Sequence, residues 1–275
     1  MKALILAGGF GTRLRPITFN IPKCLLKVNN KTILEHQLDL LSSFDDIILA
    51  TNYLEDKIWD FLRKRNIDHV SINNEPEPLG TGGAIRNAEE LLGKEFLVMN
   101  GDLITNCNID KIIAKGTNTI LLHEVDDVSR FGKAIFDNNG LITDFKEKED
   151  VHIPGWINAG LCYLNNDIFK YIPKDKFVSL EREVFPILVR EKNLKMVKND
   201  GYWYDVGTKD DFIKTNLALA NSDKVIGINC NIKNSMLFNS VIMDGCTIED
   251  STIKDSIIGP NNKISNMKIN NEIIS

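Results

Sequence analysis

A glycine-rich segment followed by two basic side chains carries the clearest chemistry in the sequence. The apolar run Lys2–Leu6 leads into residues 7–13, which read Ala-Gly-Gly-Phe-Gly-Thr-Arg, and Lys23 lies further on. Glycine lets the backbone turn sharply and approach a ligand closely, and successive N–H groups in such a turn bind anions. The Arg13 guanidinium is a planar fork that matches phosphate oxygens. The segment predicts a polyphosphate-binding loop, whereas the simpler alternative is a glycine turn that leads into a helix.

Two common phosphate loops do not fit this segment. The dinucleotide fingerprint requires Gly-x-Gly-x-x-Gly/Ala; Gly9 and Gly11 match it, but the third position is Leu14. No acidic residue follows the apolar run Ile47–Ala50 at the usual distance. The P-loop of ATPases requires Gly-Lys-Ser/Thr, and Gly11 is followed by Thr-Arg instead. Hydride transfer and Walker-type ATP hydrolysis are therefore not favoured.

Several segments, taken in order, resemble the sugar-1-phosphate nucleotidyltransferases. They are Leu4–Val28, Glu77–Ala84, Asn100–Asp102, Phe145–Lys148, Asn158–Gly160 and Trp203–Thr208. Because these segments extend over nearly the whole chain, the resemblance is more specific than any single motif. Asn158–Gly160 followed by Ser179–Pro186 is most similar to the mannose-1-phosphate guanylyltransferases.

Composition narrows the class of protein further. The 275 residues are 43% hydrophobic and 26% charged, which suits one large domain with a small appendage. A net charge of −5 disfavours a general nucleic-acid binder. The five cysteines are widely spaced, so we expect free thiols in a reducing compartment. We find neither a secretion signal nor a membrane-spanning run and expect a cytoplasmic protein that binds no membrane.

Short apolar runs alternate with helix-like stretches up to about residue 220. The predicted strands are Lys2–Leu6, Ile47–Thr51, Val70–Asn73, Phe96–Met99, Thr119–His123, Lys133–Phe136, Gly160–Leu164 and Lys195–Lys198. The predicted helices include Ile33–Leu41, Asp56–Lys64 and Gly83–Leu92. This alternation predicts an α/β fold with a Rossmann-like, mixed but mostly parallel sheet and helices on both faces. The glycine loop and Asn100–Asp102 would meet at the carboxyl ends of its strands.

The last fifty residues follow a different pattern. Isoleucine-rich positions recur every sixteen residues in three columns: Ile232, Ile248 and Ile264; Leu237, Ile253 and Ile269; Ile242, Ile258 and Ile274. Three inward side chains per turn predict a short left-handed parallel β-helix, rather than a meander of short strands. The tail resembles the hexapeptide-type tail of many nucleotidyltransferases. We therefore divide the chain into a catalytic domain, 1–222, and an appendage, 223–275.

An exposed end coil of such a tail would leave an unpaired strand edge. We therefore expect it to be capped or to pair with another subunit, giving a homo-oligomer (dimer or tetramer). The tail is too short to indicate an acyltransferase domain.

The resemblance implies three catalytic residues and a magnesium site. Arg13 would hold the departing pyrophosphate, and Lys23 would contact the α-phosphate and the incoming sugar phosphate. Asp102 and Asp205 would hold Mg²⁺, which prefers a few carboxylates together with phosphate oxygens and water. The structural alternatives are a surface lysine at position 23, a turn-forming aspartate at 102 and a helix cap at 205.

The resemblance also implies a nucleotide subsite. Its residues would be Leu6, Ala7, Gly8, Gly9, Gly11, Thr12, Arg13, Glu75, Pro78, Gly80 and Thr81. Gly80 and Gly82 would let the backbone approach a flat base. A carboxylate at Glu75 could accept both adjacent N–H donors of guanine, which favours GTP, unless Glu75 is a solvated loop residue.

A sugar-phosphate subsite is implied beside it. It would consist of Lys23, Gly132, Glu147, Lys148 and Asn158, with the polar side chains accepting from sugar hydroxyls or reaching the phosphate. The stretch from Lys146 to Glu149 could instead be an exposed segment of alternating charge.

Taken together, the sequence predicts an Mg²⁺-dependent transfer from GTP to mannose 1-phosphate that yields GDP-mannose and pyrophosphate. Alternatives within the class use glucose 1-phosphate with dTTP or UTP, or a heptose 1-phosphate with GTP. From other classes, the chain could be a non-catalytic nucleotide-sugar-binding regulatory subunit or an assembly scaffold.

Overall fold

The computed structural model describes all 275 residues. Up to residue 222 it contains thirteen strands, which are β1 (Lys2–Leu6), β2 (Lys27–Val28), β3 (Lys31–Thr32), β4 (Asp46–Thr51), β5 (Val70–Asn74), β6 (Glu95–Asn100), β7 (Leu103–Thr105), β8 (Thr119–Val125), β9 (Gly132–Phe136), β10 (Ile142–Glu147), β11 (Gly155–Asn165), β12 (Lys195–Lys198) and β13 (Trp203–Asp205). The helices are α1 (Ile33–Leu40), α2 (Glu55–Lys64), α3 (Gly80–Asn87), α4 (Ile109–Ala114), α5 (Phe185–Arg190) and α6 (Lys209–Ala220).

Nine of these strands form one mixed sheet. Its main path runs β10-β9-β11-β6-β1-β4-β5, and β8 joins β11 to the outer strand β12. The strands β6, β1, β4 and β5 are parallel, whereas β11 runs antiparallel to β6. The carboxyl ends of β1 and β6 therefore lie side by side, with Leu6 opposite Asn100.

Helices cover both faces of this sheet, as predicted. On one face Leu34 of α1, Ile58 of α2 and Ile112 of α4 pack in the same core as Ile5. On the other face Ile85 of α3 packs in a second core, together with residues of α5. No helix in the structure has both the length and the apolar character needed to cross a membrane. All five cysteines are free.

The observed elements differ from the prediction in a few places. Helix α3 begins at Gly80 and ends at Asn87, earlier than the predicted 83–92, and β11 begins at Gly155, not at Gly160. Strand β10 and the short pair β7 and β13 were not predicted. A three-residue strand shows too little alternation to be recognised.

The tail is a parallel β-helix of three sheets. Its strands are β14 (Lys224–Ile226), β15 (Asn231–Lys233), β16 (Met236–Phe238), β17 (Ser240–Ile242), β18 (Thr247–Glu249), β19 (Thr252–Lys254), β20 (Ile257–Ile258), β21 (Lys263–Ser265), β22 (Lys268–Asn270) and β23 (Ile273–Ile274). They pair in the orders β14-β17-β20-β23, β15-β18-β21 and β16-β19-β22. Each predicted column is an observed register, for example Ile232 with Ile248 and Ile248 with Ile264. The sixteen-residue period is confirmed.

Polar residues form the corners of this β-helix. The corner residues have positive φ angles and follow the same period: Asn229, Gly245 and Asn261; Asn234, Asp250 and Asn266; Asn239, Asp255 and Asn271. Asparagine and aspartate tolerate the left-handed region better than other side-chain-bearing residues. The Asn- and Asp-rich composition of the tail is thus a consequence of its corners.

We expect the interior columns to supply much of the tail's stability. Ile253 is fully buried between Leu237 and Ile269, so Ile253→Ala should lower the free energy of unfolding by about 2–5 kcal/mol. The neighbouring Lys254 is exposed, and Lys254→Ala should change it by no more than about 0.5 kcal/mol. Urea unfolding followed by circular dichroism measures both; equal effects would contradict the interior assignment.

Candidate active site

The glycine loop and the turn after β6 meet at one edge of the sheet. The Gly101 N–H donates to the Leu6 carbonyl over 3.0 Å. A Cβ on Gly101 would lie 2.5 Å from that carbonyl oxygen and 3.0 Å from the Ala7 Cα. Only glycine allows so close an approach of the two backbones. Asp102, the next residue, is thereby held beside the loop.

The side chain of Gln37, on α1, fixes the same turn through two hydrogen bonds. Its Nε2 donates to the carbonyls of Asn100 and Leu103, over 2.8 and 2.9 Å. These two carbonyls flank Asp102 in the chain. Gln37 is buried, and its Oε1 has no partner. Nothing in the sequence distinguishes this residue, because it lies on an ordinary amphipathic helix.

The loop itself ends in a left-handed residue. Gly11 has φ +60°, and the chain then forms the short 3₁₀ turn Thr12–Leu14. The Thr18 hydroxyl donates to the Gly11 carbonyl over 2.8 Å. A Cβ at position 11 would lie 2.9 Å from the Thr18 methyl group. This turn sets the direction in which Arg13 leaves the backbone.

Lys23 forms an ion pair with Asp102. The Lys23 Nζ lies 2.6 Å from Asp102 Oδ2, and the lysine side chain is only 12% exposed. Burial acts to raise the pKa of Asp102, but the charge and hydrogen bond of Lys23 outweigh it and hold that pKa below its usual value. The alternative of a solvated surface lysine is therefore wrong.

Asp205 lies next to this pair, on the short strand β13. Asp205 is paired with Leu103 of β7, and the Val206 N–H donates to the Asp102 carbonyl over 2.9 Å. Burial and the neighbouring Asp102 charge raise the pKa of Asp205 to about 6. Helix α6 is capped by Thr208, whose hydroxyl accepts from the Asp211 N–H. Asp205 is thus not the cap of that helix.

The Arg13 guanidinium and the Asp205 carboxylate both lie beside Gly207. A Cβ on Gly207 would lie 3.0 Å from Arg13 Nη2 and 3.1 Å from Asp205 Oδ2. The two side chains therefore converge on Gly207. The site brings two cations and two carboxylates together from three distant segments of the chain.

Two adjoining cavities open on this cluster. The first, here called the glycine-loop cavity, has a volume of about 420 Å³; the second, the carboxylate cavity, has about 410 Å³. The two share a wall formed by Arg13, Gly80, Thr81, Asn100, Asp102 and Phe177. All residues of the predicted nucleotide subsite line the first cavity, namely Leu6, Ala7, Gly8, Gly9, Gly11, Thr12, Arg13, Glu75, Pro78, Gly80 and Thr81.

Glu75 is a buried wall of the glycine-loop cavity. Its side chain is oriented by the Leu79 N–H, which donates to Oε2 over 3.1 Å, and its Oε1 faces Gly8. With 6% of its surface exposed, the residue is not the solvated loop glutamate that the sequence left open. Burial raises the pKa of Glu75 above its usual value.

Gly80 and Gly82 of α3 both lie against Val178. Gly80 also lines both cavities and has φ +73°. Gly82 lines neither cavity, and the Val178 carbonyl accepts its N–H over 2.8 Å. The prediction that Gly82 gives room for a base is therefore wrong; it gives room for the chain segment that carries Phe177.

Four residues of the predicted sugar-phosphate subsite line the carboxylate cavity: Gly132, Glu147, Lys148 and Asn158. Lys23 lines the other cavity. A Cβ on Gly132 would lie 2.6 Å from Glu147 Oε2, so glycine makes room for that carboxylate. The Glu147 side chain is only 14% exposed, which rules out a fully exposed charged segment at this residue. Burial and the charge of Glu181 raise the pKa of Glu147.

The carboxylate cavity also contains residues to which the sequence analysis gave no role. Arg130 donates to Asp211 over 2.6 and 3.4 Å, and it lies in a turn with no recognisable motif. Glu181 accepts from the Thr81 hydroxyl over 2.6 Å and thereby links the two cavities. Glu181 lies in the quoted segment 179–186, so the resemblance to the guanylyltransferases contained a signal for it.

The fold and site define a class of protein, an α/β chain whose glycine loop and paired carboxylates meet at the carboxyl edge of a mostly parallel sheet. The family model described as nucleotidyl transferase matches residues 2–222. The chain belongs to this family.

Similar proteins come from several organisms. The chain is 37% identical over 237 residues to a mannose-1-phosphate guanyltransferase of Saccharomyces cerevisiae, a match that covers 81% of this chain and 65% of the relative. It is 35% identical over 226 residues to a mannose-1-phosphate guanylyltransferase catalytic subunit beta of Dictyostelium discoideum, which covers 78% and 63%. The chain thus spans about two thirds of the length of the curated relatives it matches.

Two solved structures show the same fold. HddC from Yersinia pseudotuberculosis, complexed with GMP-PN, is 32% identical with a TM-score of 0.68, over 79% of this chain and 99% of that one. A putative glucose-1-phosphate thymidylyltransferase from Bacillus anthracis, in complex with a sucrose, is 27% identical with a TM-score of 0.72, over 80% and 95%.

The raised pKa of Asp205 predicts that ionisation of this side chain destabilises the folded protein. When the pKa of an acid is higher in the folded state, the free energy of unfolding falls as pH rises through the range between the two pKa values. For Asp205 this range extends from the unfolded pKa, near 3.8, to the folded pKa, about 6. In the presence of a chelator, Asp205→Asn should therefore raise the thermal midpoint by roughly 2–6 °C at neutral pH. The gain should shrink as pH falls towards 4.

The exposed Asp68 supplies the control. Differential scanning calorimetry of Asp68→Asn should show no pH-dependent gain. A gain for Asp205→Asn that is equal at both pH values would show that the ionisation of Asp205 is not its cause.

Proposed function

We propose that this protein transfers a guanylyl group from GTP to mannose 1-phosphate, giving GDP-mannose and pyrophosphate. One observation carries the proposal: Arg13, Lys23, Asp102 and Asp205 converge where two cavities adjoin. One cavity has the glycine loop, and the other is rich in polar side chains. The names of the similar proteins support GTP and mannose 1-phosphate as the substrates.

The reaction is an in-line displacement. An oxygen of the sugar phosphate attacks the α-phosphorus of the triphosphate, the new P–O bond forms, and the bond to pyrophosphate breaks. Catalysis of this kind depends on positioning and on neutralising charge, not on a nucleophilic side chain. The four residues at the junction of the cavities are suited to both tasks.

Lys23 and Arg13 bind different phosphate groups. Lys23 contacts the α-phosphate and the incoming sugar phosphate, so it reduces the repulsion between two anions. Arg13 holds the β- and γ-phosphates and stabilises the charge that develops as pyrophosphate leaves. Thr12 and the N–H groups of Gly8, Gly9 and Gly11 hold the same phosphates from the loop.

The donor set of Asp102 and Asp205 fits magnesium. Partial burial and the repulsion between the two half-buried carboxylates raise the pKa of Asp205, and a divalent cation would remove that repulsion. No group of three or more His, Cys, Asp and Glu side chains is placed to hold a metal ion, which leaves the remaining positions to phosphate oxygens and water, as Mg²⁺ prefers. When bound, Mg²⁺ would neutralise charge on the α-phosphate.

Base and sugar selection are assigned to separate walls. Glu75 accepts from the guanine N1–H and N2–H groups, while Pro78, Gly80 and Thr81 border the base. Among the residues of the carboxylate cavity, Glu147 and Asn158 bind sugar hydroxyls, with Gly132 leaving room, and Lys148 reaches the sugar phosphate. Leu6 and Ala7 complete the nucleotide subsite.

The remaining features of the proposal concern the whole protein. We propose that residues 1–222 are the catalytic domain and 223–275 the β-helical appendage, and that the protein is a cytoplasmic homo-oligomer. A purely regulatory subunit that binds nucleotide sugars would not need to retain Arg13, Lys23 and Asp102. Size-exclusion chromatography with light scattering measures the oligomeric state.

Loss of either member of the ion pair should abolish most turnover. Removing one preorganised group that stabilises transition-state charge typically costs about 100-fold to 1,000-fold in kcat, and we expect Lys23→Ala and Asp102→Asn to fall in that range. Pyrophosphate release measures this. Lys64→Ala, at the exposed end of α2, should match the wild type. Near-normal turnover of Lys23→Ala would overturn the mechanism.

Glu75 should select the base. The wild type should turn over GTP and reject dTTP and UTP, because a carboxylate accepts the two adjacent donors of guanine but meets acceptors on thymine and uracil. Glu75→Gln should lower kcat/KM for GTP by about 10-fold to 100-fold, the value of one bidentate contact.

The exposed Glu77, two residues further along the chain, gives a matched control, since Glu77→Gln should leave kcat/KM for GTP unchanged. Assays with mannose, glucose and heptose 1-phosphates separate the sugar alternatives. Turnover with dTTP and none with GTP would contradict the assignment of the base.

A further inference from the structure

The β-helix and the catalytic loop share one hydrophobic core. Here the catalytic loop means residues 11–28, which contain Arg13 and Lys23. The core contains loop side chains, a residue next to Asp205, side chains of α6 and side chains of the tail. Its members are Leu14, Ile17, Leu26, Val28, Ile33, Ile104, Val206, Phe212, Ile213, Val225, Val241, Met243 and Ile257. The appendage is therefore not packed as an independent module.

The tail contributes one face of one sheet to this core. Val225, Val241 and Ile257 lie on β14, β17 and β20, in register with one another, and are buried; we call them the brace face. Successive side chains of a strand point to opposite faces. Accordingly, Ile242, the next residue after Val241, lies in the interior core of the β-helix instead.

The brace face packs in the same core as the chain neighbours of the catalytic groups. Leu14 directly follows Arg13, and Val206 directly follows Asp205; both are buried there. Leu26 directly follows the short 3₁₀ turn Lys23–Leu25 and is also buried in that core. The side chains that face the cavities and those that face the tail thus alternate along the same short segments.

Polar contacts pin the same interface. The Lys27 ammonium forms an ion pair with Asp244 of the tail. The Asn29 N–H donates to Asn216 Oδ1 of α6 over 2.9 Å, and Lys209 of α6 donates to the Asp255 carbonyl over 3.2 Å. These contacts fix the loop, α6 and the β-helix to each other.

A small cavity lies between loop and tail. Its volume is about 110 Å³, and Ile21, Leu25, Val241 and Met243 are among its lining residues. Ile21 and Leu25 flank Lys23 on both sides in the chain. Shortening Val241 would enlarge a space that already borders the lysine turn.

We propose that the brace face positions the catalytic loop, so that the β-helix takes part in transfer without touching substrate. Val241 and Ile257 are positioning residues in this role. A displacement of roughly 1 Å at a reacting group can cost about 100-fold in rate, and a loop made of short 3₁₀ turns has few hydrogen bonds of its own to prevent one. The inference rests on the proposed function, since Arg13 and Lys23 carry that reaction.

Two residues on paired strands test the proposal in the full-length protein. Val241→Ala should lower kcat about tenfold with KM values changed by no more than about twofold, because the contacts to the base and the sugar remain while the two cations shift. The control is Ile258→Ala, which removes a larger side chain from the interior core of the β-helix and lies outside the small cavity. It should lower the thermal midpoint at least as much, with kcat within about twofold of wild type.

Hydrogen exchange gives a readout that does not depend on turnover. In Val241→Ala, amide exchange should become faster in residues 11–28, whereas Ile258→Ala should leave that segment protected. Both are measured well below either thermal midpoint. Unchanged kcat and exchange in Val241→Ala would overturn the proposal, as would losses of kcat in both variants in proportion to their losses of stability.

Failure of the proposed function can be distinguished from failure of the brace-face proposal. A wild type that releases no pyrophosphate with any tested triphosphate and sugar phosphate would refute the proposed function. The exchange experiment would still report whether the brace face fixes the loop.

Discussion

The placement of charge at the carboxyl edge of the sheet is the constraint on which the site depends. Lys23 and Asp102 neutralise each other at 2.6 Å, and Arg13 approaches Asp205 at Gly207. The balance is incomplete, since Asp205 still has a pKa raised to about 6 by burial and by Asp102. An unpaired charge in a buried position lowers the stability of the folded protein unless an opposite charge binds beside it. A site of this kind is stabilised when it binds a cation together with an anion, which is what a metal-bound triphosphate provides.

Close backbone approach makes that placement possible. Gly101 lets the turn after β6 touch the chain that leaves β1, and Gln37 holds both ends of the same turn at the expense of an unpaired buried oxygen. An unpaired buried acceptor costs free energy that an apolar side chain would not. By binding the carbonyls on either side of Asp102, Gln37 fixes the backbone that carries this carboxylate.

Much of this arrangement could be predicted from the sequence, and the physical reasons for the rest are specific. The strands around β1 were found because they are continuous apolar runs, and the glycine loop because its residue types are unusual. Arg130 and Gln37 were not found, since one lies in an irregular turn and the other on an amphipathic helix, and neither position shows a pattern. Gly82 was misassigned because a sequence shows that backbone must approach something but not what it approaches.

The tail contains a fourth apolar column that was not predicted from the sequence. The three interior columns were recognised, but a fourth series, Val225, Val241, Ile257 and Ile273, has the same sixteen-residue spacing. It stands one position before Ile242 and Ile258, so both faces of that sheet are apolar. A β-helix face that meets water should alternate apolar and polar residues. Two adjacent apolar columns on one strand therefore indicate that the outer face is covered, and here it is covered by α6 together with the segment that carries Arg13 and Lys23.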